Sequence, residues 1–384
     1  MPLTDIPTIR AFLDDRHVDL ADRINDFAQA FLAPLPEPDD DPAARAQARE
    51  ILVLLGESEW YAPILAQDLR AVCLIRESIA AASPLADAVY ALQALGSTPI
   101  HLAGSDYLRE RWLPAMARGE AMAAFAMTER EAGSDVASIQ TTARRDGSDW
   151  VLDGVKTFIS NAGIADFYTV FVSTDPGRGH KGISCFVVPG DADGLVFEGA
   201  QVLSAPHPLG TIRFDGCRVS ADSLIGEEGQ GFKLGLATLD RLRATVAAAA
   251  CGMAARALEE ALGHARERRQ FGKPLAEFQL VQEKLARMAT DLAAARLLTY
   301  RAAWEKDRGA ERVTVEAAMA KAFATEAAQR IVDDAVQILG GRGVLAEHPV
   351  DRLYRSIRAL RIYEGTTEIQ HLVIAGKLIE ASAT

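Results

Sequence analysis

Strand-forming residues in this 384-residue chain are confined to one central block. From about 121 to 225, short runs rich in Val, Ile, Phe and Thr are separated by Gly and Asp, and Gly177-Arg178-Gly179 divides FYTVFVST from GISCFVV. Such runs predict extended segments joined by reverse turns. Because the strands do not alternate with helices, a Rossmann arrangement is disfavoured, and an antiparallel barrel or sandwich is the simplest interpretation.

Helical periodicity flanks this block on both sides. Before residue 120, apolar residues recur at steps of three and four, as at Ile51, Leu54 and Leu55. After the block the helices are longer, because the same spacing continues over more turns. It predicts helices over 233–269, 277–306 and 315–339.

The length of the chain exceeds what one ordinary core accommodates, so two or three packed units are expected. The changes in residue pattern place the boundaries near 120 and 228. We predict an α+β multi-domain fold with an N-terminal helical domain at 1–120, a middle antiparallel β-barrel or sandwich at 121–228, and a C-terminal helical bundle at 229–384.

The bulk composition is that of a soluble globular protein, with 49% hydrophobic and 24% charged residues. A formal charge of −12 without a basic block argues against binding to nucleic acid or to a membrane surface. The acidic start of the chain has no apolar run typical of a secretory signal, so a cytoplasmic location is expected. The four cysteines form no C-x-x-C pair, which predicts neither a disulfide framework nor a metal site. They are Cys73, Cys185, Cys217 and Cys251.

Two segments of the β-region could hold a planar cofactor. In FAMTEREAGSD the hydroxyls of Thr128 and Ser134 flank Gly133, which permits a close approach of the backbone to a ligand. In KTFISN, strand alternation predicts that Phe158 and Ser160 share one face, where a ring could lie against Phe158. The alternative interpretations are a capped surface loop and an ordinary core phenylalanine.

Two helical segments carry charge suited to an anionic ligand. Asp240 and Arg243 are three residues apart on a predicted helix, so they could instead pair with each other at the surface. The second segment contains Arg268, Gln270 and Phe271. They offer a positive charge for a phosphate, a polar side chain and a flat aromatic ring. A solvated run of arginines is the alternative for this second segment.

Glu364 lies in RIYEGTTEIQ, a short loop between helical segments in which Thr366 is placed to cap the following helix. A carboxylate on such a loop can reach into a cavity. Burial there would raise its pKa and make it a competent base for a weakly acidic C–H proton. An exposed glutamate in a capping loop is the alternative.

Taken together and in this order, TE-x-x-AGSD, FISN, R-x-QFG, QILGGRG and YEGTTEIQ resemble the acyl-CoA dehydrogenase family from about residue 85 to the C-terminus. The resemblance implies a C-terminal four-helix bundle, assembly as a homotetramer built as a dimer of dimers, and FAD as the cofactor. It also implies α,β-dehydrogenation of an acyl-CoA thioester to a trans-2-enoyl-CoA, with Glu364 as the catalytic base and an electron-transfer flavoprotein as the acceptor.

The resemblance also assigns binding residues. Those implied to line the flavin and its pyrophosphate are Phe125, Met127, Thr128, Gly133, Ser134, Phe158, Ile159 and Ser160. A second set is implied to hold the adenosine and phosphate end of FAD from a neighbouring subunit: Arg268, Gln270, Phe271, Gln279, Gln337, Gly340 and Gly341. Thr366 and Glu368 are implied to complete this contact. Those implied to contact the acyl-CoA are Ser134, Asp240, Arg243, Tyr363 and Gly365.

The chain departs from the family pattern in the stretch SAPHPLGTIRFDG at 204–216, where the usual Lys-Leu-Gly-x-Arg-x-Ser segment is not recognisable. Leu242 stands where some relatives keep their base, which favours Glu364 as the base here. Ser97, Thr98 and Leu242 are expected toward the acyl group. A flavin oxidase or monooxygenase of the same fold, and a non-catalytic homologue associated with nucleic acid, are the alternative functions.

Overall fold

The computed structural model describes residues 4–382, which form a helical region, a β-sheet region and a second helical region in chain order. The first region contains α1 (Ile6–Ile9), α2 (Asp15–Phe27), α3 (Asp41–Glu57), α4 (Ala62–Leu65), α5 (Leu69–Ala82), α6 (Pro84–Ala103) and α7 (Asp106–Ala117). The sheet contains β1 (Ala123–Ala126), β2 (Thr142–Asp146), β3 (Asp149–Ser160), β4 (Phe167–Ser173), β5 (Ile183–Pro189), β6 (Leu195–Ala200) and β7 (Leu209–Val219).

The last region consists of long helices and one short hairpin. Its elements are α8 (Gly231–Glu267), the hairpin strands β8 (Arg269–Gln270) and β9 (Lys273–Pro274), α9 (Gln279–Asp307), α10 (Thr314–Leu339), α11 (Pro349–Leu360) and α12 (Thr367–Ser382). The three long helices begin and end close to their predicted bounds, because the apolar spacing that predicted them is the face they bury. The predicted order of helices, strands and helices is confirmed.

The sheet has the strand order β1-β4-β2-β3-β7-β6, and β5 pairs with β4. Most ladders are antiparallel, as predicted, but β1 runs parallel to β4 in the register Ala123↔Phe167. β2 also pairs parallel with β4, at Thr142↔Ser173, so the predicted antiparallel arrangement holds for most of the sheet but not for these two ladders of β4. The reason is that the β2–β3 hairpin lies between β1 and β4 in the chain and provides the long connection that a parallel pair requires. Trp150 and Phe186 pack edge to face in the core of the sheet, with ring centroids 5.2 Å apart.

The described chain divides into two compact units that interleave along the sequence. The sheet unit comprises Glu37–Ala66 and Ala88–Leu239, and the helical unit comprises Met1–Pro36, Gln67–Asp87 and Asp240–Thr384. The three-domain boundaries at 120 and 228 remain predictions, because this division follows compactness and not chain order. All four cysteines are buried and unpaired. Between residues 4 and 382, no helix combines the length and apolar character needed to cross a membrane.

A buried carboxylate organises the core of the helical unit. Glu77 of α5 is fully buried and accepts hydrogen bonds from Arg296 Nε and Tyr300 Oη of α9, both at 2.7 Å. Its own backbone carbonyl lies against Gly252 of α8, where an added Cβ would come within 1.9 Å of the oxygen. Glycine is therefore required at 252 because the two backbones touch there.

The contact at Gly252 gives a test of this packing. Gly252→Ala should lower the free energy of unfolding by about 1–3 kcal/mol, because the methyl group forces α5 and α8 apart. Gly263→Ala is the matched control, since it lies on the same helix and its Cβ would meet nothing within 4 Å. The control should gain up to about 1 kcal/mol from its higher helix propensity. Chemical denaturation measures both changes, and equal stability of the two variants would contradict the packing described.

Candidate active site

Glu364 lies in the turn between α11 and α12 in a left-handed backbone conformation, with a φ of 54°. Gly365 follows with a φ of 91°. Glycine adopts this region freely, but a glutamate with a positive φ is strained and needs surrounding contacts to hold it. A residue held in such a conformation is a common feature of functional sites.

Three side chains hold this turn, and we call them the turn clamp. Lys321 Nζ donates to the carbonyl of Gly365 at 2.7 Å, and Arg243 Nε donates to the carbonyl of Glu364 at 3.3 Å. Gln370 Nε2 donates to both carbonyls, at 3.0 Å and 3.3 Å. Lys321 is fully buried on α10. Because the clamp binds main-chain carbonyls, it fixes the turn without occupying the carboxyl group of Glu364.

One oxygen of the Glu364 carboxyl group is held away from water, and the residue as a whole is half-buried. Its Oε2 is buried and has no hydrogen-bond partner among the described residues. Burial raises the pKa of Glu364, and the nearby charges of Arg76, Lys321 and Arg243 oppose the increase. Burial also lowers the pKa of Lys321 to about 8, against the attraction of Glu364. Glu364 is therefore a half-buried acid–base group with its Oε2 shielded from water, and not an exposed carboxylate in a capping loop.

Arg76 forms a buried ion pair in the same unit. Its Nε and Nη2 donate to the two carboxylate oxygens of Asp87 at 2.8 Å each, and its Nη1 donates to Thr245 Oγ1 at 2.8 Å. Arg76 and Asp87 influence the pKa of Glu364 in opposite directions. The pair is neutral overall, so it supplies a directed dipole beside the candidate base at a lower desolvation cost than a lone arginine.

The predicted substrate residues of the helical unit lie around the same turn. Arg243 pairs with Asp240, as the alternative interpretation expected, but Arg243 is buried and also belongs to the clamp. Asp240 Oδ2 accepts from Thr314 Oγ1 at 2.8 Å. Tyr363 is 38% exposed as a residue, and shielding of its phenol from water raises the pKa of that group. Leu242 is buried and apolar, so the neighbouring helical position holds no competing base.

In the sheet unit, Phe158 lies in a β-bulge. The register of β3 against β7 shifts between Lys156 and Ile159, and Phe158 has a φ of 55°. Its ring is 60% exposed, and its N–H donates to Gln201 Oε1 at 2.8 Å. A bulge turns a side chain out of the regular alternation. It accounts for the exposed aromatic face and buries Ile159 in the sheet core, so Ile159 can offer a ligand only its backbone.

The segment after β1 is tied to this bulge. Thr157 N–H donates to the carbonyl of Thr128 at 3.0 Å. Lys156 Nζ donates to the carbonyl of Met127 at 3.0 Å and to Glu129 Oε1 at 2.8 Å. Burial lowers the pKa of Lys156 to about 8. The two predicted flavin segments therefore form one connected surface of the sheet unit.

The remaining predicted flavin residues of the sheet unit differ in exposure. Gly133 and Ser134 are exposed, and a Cβ at Gly133 would meet nothing within 4 Å. Phe125 is partly buried against Phe171, with ring centroids 4.9 Å apart. Ser160 is partly exposed, and its Oγ lies 2.8 Å from His207 Nε2. Ser97 and Thr98, which were expected toward the acyl group, are buried on α6, and their hydroxyls donate to carbonyls of that helix; their place toward the acyl group stays a prediction.

The residues predicted to hold the far end of the dinucleotide are exposed on the helical unit. Phe271 sits at the tip of the β8–β9 hairpin with a φ of 48°, and its side chain is 93% exposed. Thr366 Oγ1 accepts from Ile369 N–H at 3.3 Å, which is the predicted capping contact. The other members, all exposed, are Arg268, Gln270, Gln279, Gln337, Gly340, Gly341 and Glu368.

Sequence reasoning missed several residues that the structure places at these sites. Lys321 could have been found, because it occupies the buried register of an alanine-rich helix where a lysine is unexpected. Arg76 and Asp87 carry a weaker signal, since Arg76 is followed directly by Glu77 in α5 and the sequence does not show that it pairs instead with Asp87 of α6. His207 lay in the stretch that departs from the family pattern, and that departure was its signal.

Comparison with known proteins gives matches along almost the whole chain. The N-terminal, middle and C-terminal domains of acyl-CoA dehydrogenase match residues 14–120, 124–217 and 229–379. A probable acyl-CoA dehydrogenase of Mycobacterium tuberculosis is 38% identical over 376 residues, covering 96% of each chain.

Two solved structures share the fold. Butyryl-CoA dehydrogenase from Megasphaera elsdenii superimposes with a TM-score of 0.89 and 33% identity over 96% of this chain and 99% of that chain. A glutaryl-CoA dehydrogenase from Mycobacterium smegmatis in complex with FADH2 has a TM-score of 0.86 and 28% identity, covering 96% of each chain. The chain therefore belongs to the acyl-CoA dehydrogenase family and is an oxidoreductase.

Proposed function

We propose that the protein binds FAD and converts an acyl-CoA thioester to its trans-2-enoyl-CoA, with Glu364 removing the α-proton. The observation that carries this proposal is the carboxyl group of Glu364, whose Oε2 is buried and unpartnered and which projects from a backbone turn fixed by the turn clamp. A base that must accept a weakly acidic C–H proton needs a raised pKa and a fixed position. Both conditions are met within the helical unit.

The residues of the sheet unit fit a flavin. The exposed ring of Phe158 offers a flat apolar surface, and the partly exposed hydroxyl of Ser160 lies two residues further along β3. Open space in front of Gly133 permits close approach of a backbone N–H to a phosphate. The solved relative with FADH2 supports the same assignment. When bound, FAD would supply the acceptor for the hydride that leaves the β-carbon of the acyl group.

The chain's own residues then handle the proton. Glu364 Oε2 receives the α-proton, and the neutral carboxyl group that results suits a buried site. Before that step, Arg76, Lys321 and Arg243 keep the ionised form accessible by opposing the effect of burial on its pKa. The clamp holds the backbone of Glu364 in place, so less entropy is lost when the carboxylate and the thioester are aligned.

Exposed apolar side chains support the predicted homotetramer. Phe271 and Leu280 are almost fully exposed, and α12 presents Leu372 and Ile379, seven residues apart, on one exposed face. Large apolar patches on a protein surface commonly mark sites of contact with another protein. We propose that a second copy of the chain covers them, that Phe271 and its neighbours grip the FAD of that copy, and that an electron-transfer flavoprotein reoxidises the flavin in the cytoplasm.

Replacement of the base tests the reaction. Glu364→Gln should lower the rate of flavin bleaching by at least about 10²-fold in anaerobic titrations with acyl-CoA, because the amide cannot accept the proton. Glu380→Gln, which removes an exposed carboxylate from α12, should bleach at the normal rate. Full activity in Glu364→Gln would rule out its role as the base. Rapid reoxidation of the reduced flavin by air would favour an oxidase instead of a dehydrogenase.

The cations around Glu364 give a pH prediction. The base works only when ionised, so kcat/KM should fall as the pH drops through its raised pKa. Lys321 lowers that pKa, and its loss in Lys321→Met should therefore move the acid limb of the profile to higher pH. Lys377→Met removes an exposed lysine and should leave the limb in place. An unchanged limb in Lys321→Met would contradict the proposed electrostatic role.

Mixed oligomers test the grip between subunits. Glu364→Gln and Phe271→Asp should each be inactive alone, the first in chemistry and the second in FAD retention. If Phe271 serves the site of the neighbouring copy, co-assembled oligomers of the two variants contain sites with neither change, and they should recover dehydrogenase activity. Size-exclusion chromatography confirms assembly. Mixed oligomers that remain inactive would place Phe271 at the site of its own chain.

A further inference from the structure

His207 joins the loop before β7 to the end of β3 within the sheet unit. Its Nε2 lies 2.8 Å from Ser160 Oγ, and the carbonyl of the next residue, Pro208, accepts from Asn161 N–H at 2.9 Å. Two consecutive residues of the loop therefore hold two consecutive residues at the end of β3. One contact is made by a side chain and the other by the main chain. This attachment fixes the imidazole relative to the hydroxyl of Ser160.

The surroundings keep the imidazole of His207 neutral. Burial and the charge of Arg45 lower its pKa to about 4, while Asp41 acts in the opposite direction. Arg45 is held in place because its Nε donates to Asp41 Oδ2 at 2.6 Å and its Nη2 donates to the carbonyl of Leu209 at 2.9 Å. A neutral imidazole has one nitrogen that donates and one that accepts.

The choice between the two tautomers follows from Nδ1. This atom is buried and has no hydrogen-bond partner among the described residues, although Asp41 Oδ1 is also buried and without one. A proton on Nδ1 would leave a buried N–H unpaired, and orphaned N–H groups are rarer in proteins than unfilled acceptors. The geometry points to a proton on Nε2, donated to Ser160 Oγ.

A donor at Nε2 decides what the Ser160 hydroxyl can do. Its oxygen accepts from His207, so its hydrogen is free to point away from the imidazole. We propose that His207 is a positioning residue that makes Ser160 a hydrogen-bond donor toward an acceptor atom of the flavin ring beside Phe158. This inference rests on the proposed FAD site and assigns a role to the stretch in which the chain departs from the family pattern.

The tautomer can be measured without FAD. In protein labelled with 15N at its seven histidines, the solid-state 15N signal of His207 should show a protonated Nε2 and a bare Nδ1 at neutral pH. His207→Gln identifies that signal by its loss. A proton on Nδ1, or an imidazolium at neutral pH, would overturn the assignment.

FAD affinity tests the consequence for the cofactor. His207→Leu and Ser160→Ala should each weaken FAD binding by about 5- to 10-fold, since each removes one net hydrogen bond from the site. The double variant should be no weaker than either single one, because both act through the same contact. His207→Gln, whose amide N–H replaces Nε2–H, should restore the affinity and confirm that the Leu variant is not merely misfolded.

The outcomes separate the two proposals. Normal FAD affinity in His207→Leu together with weakened affinity in Ser160→Ala would remove the positioning role and leave the FAD site intact. Protein with the Nε2–H tautomer that binds no FAD would overturn the proposed function, and the role of His207 toward the flavin with it.

Discussion

The left-handed turn at Glu364 depends on donors from three helices of the helical unit. Arg243, Lys321 and Gln370 come from α8, α10 and α12, and all three donate to carbonyls of Glu364 or Gly365. A strained residue persists only when its surroundings over-determine it. Packing of the three helices is therefore also what aims the carboxyl group.

The same physical arrangement recurs at the other predicted sites. Among residues 4–382, six non-glycine residues have a positive φ, and Phe158, Phe271 and Glu364 are three of them. Phe158 lies at a bulge of β3, Phe271 at a hairpin tip and Glu364 in a turn between two helices. Two contacts stabilise the strained backbone around Phe158. Gln201 Oε1 accepts from the Phe158 N–H, and Lys156 Nζ donates to the carbonyl of Met127. Strain concentrated at these positions is typical of sites that bind or react.

Charge balance at Glu364 explains how a buried carboxylate stays usable. Burial alone would favour the neutral acid and leave little ionised base. Arg76, Lys321 and Arg243 oppose that effect, but none of them donates to the free Oε2. Arg76 is compensated by Asp87, and Lys321 and Arg243 donate to main-chain carbonyls. The cations thus act through the field, which leaves the oxygen available for a proton.

The sequence alone determined the order of helices and strands, the long helices and the segments that carry Glu364 and Phe158, because periodicity and motif spacing are local properties. It did not determine the parallel pairing of β1 with β4. Nor did it identify Lys321, Arg76 or His207, whose contacts join residues far apart in the chain. Only tertiary packing decides which charged or polar side chain contacts which distant carbonyl or hydroxyl group. Those contacts and the charges they bring close set the pKa of the candidate base and the direction of the Ser160 hydroxyl.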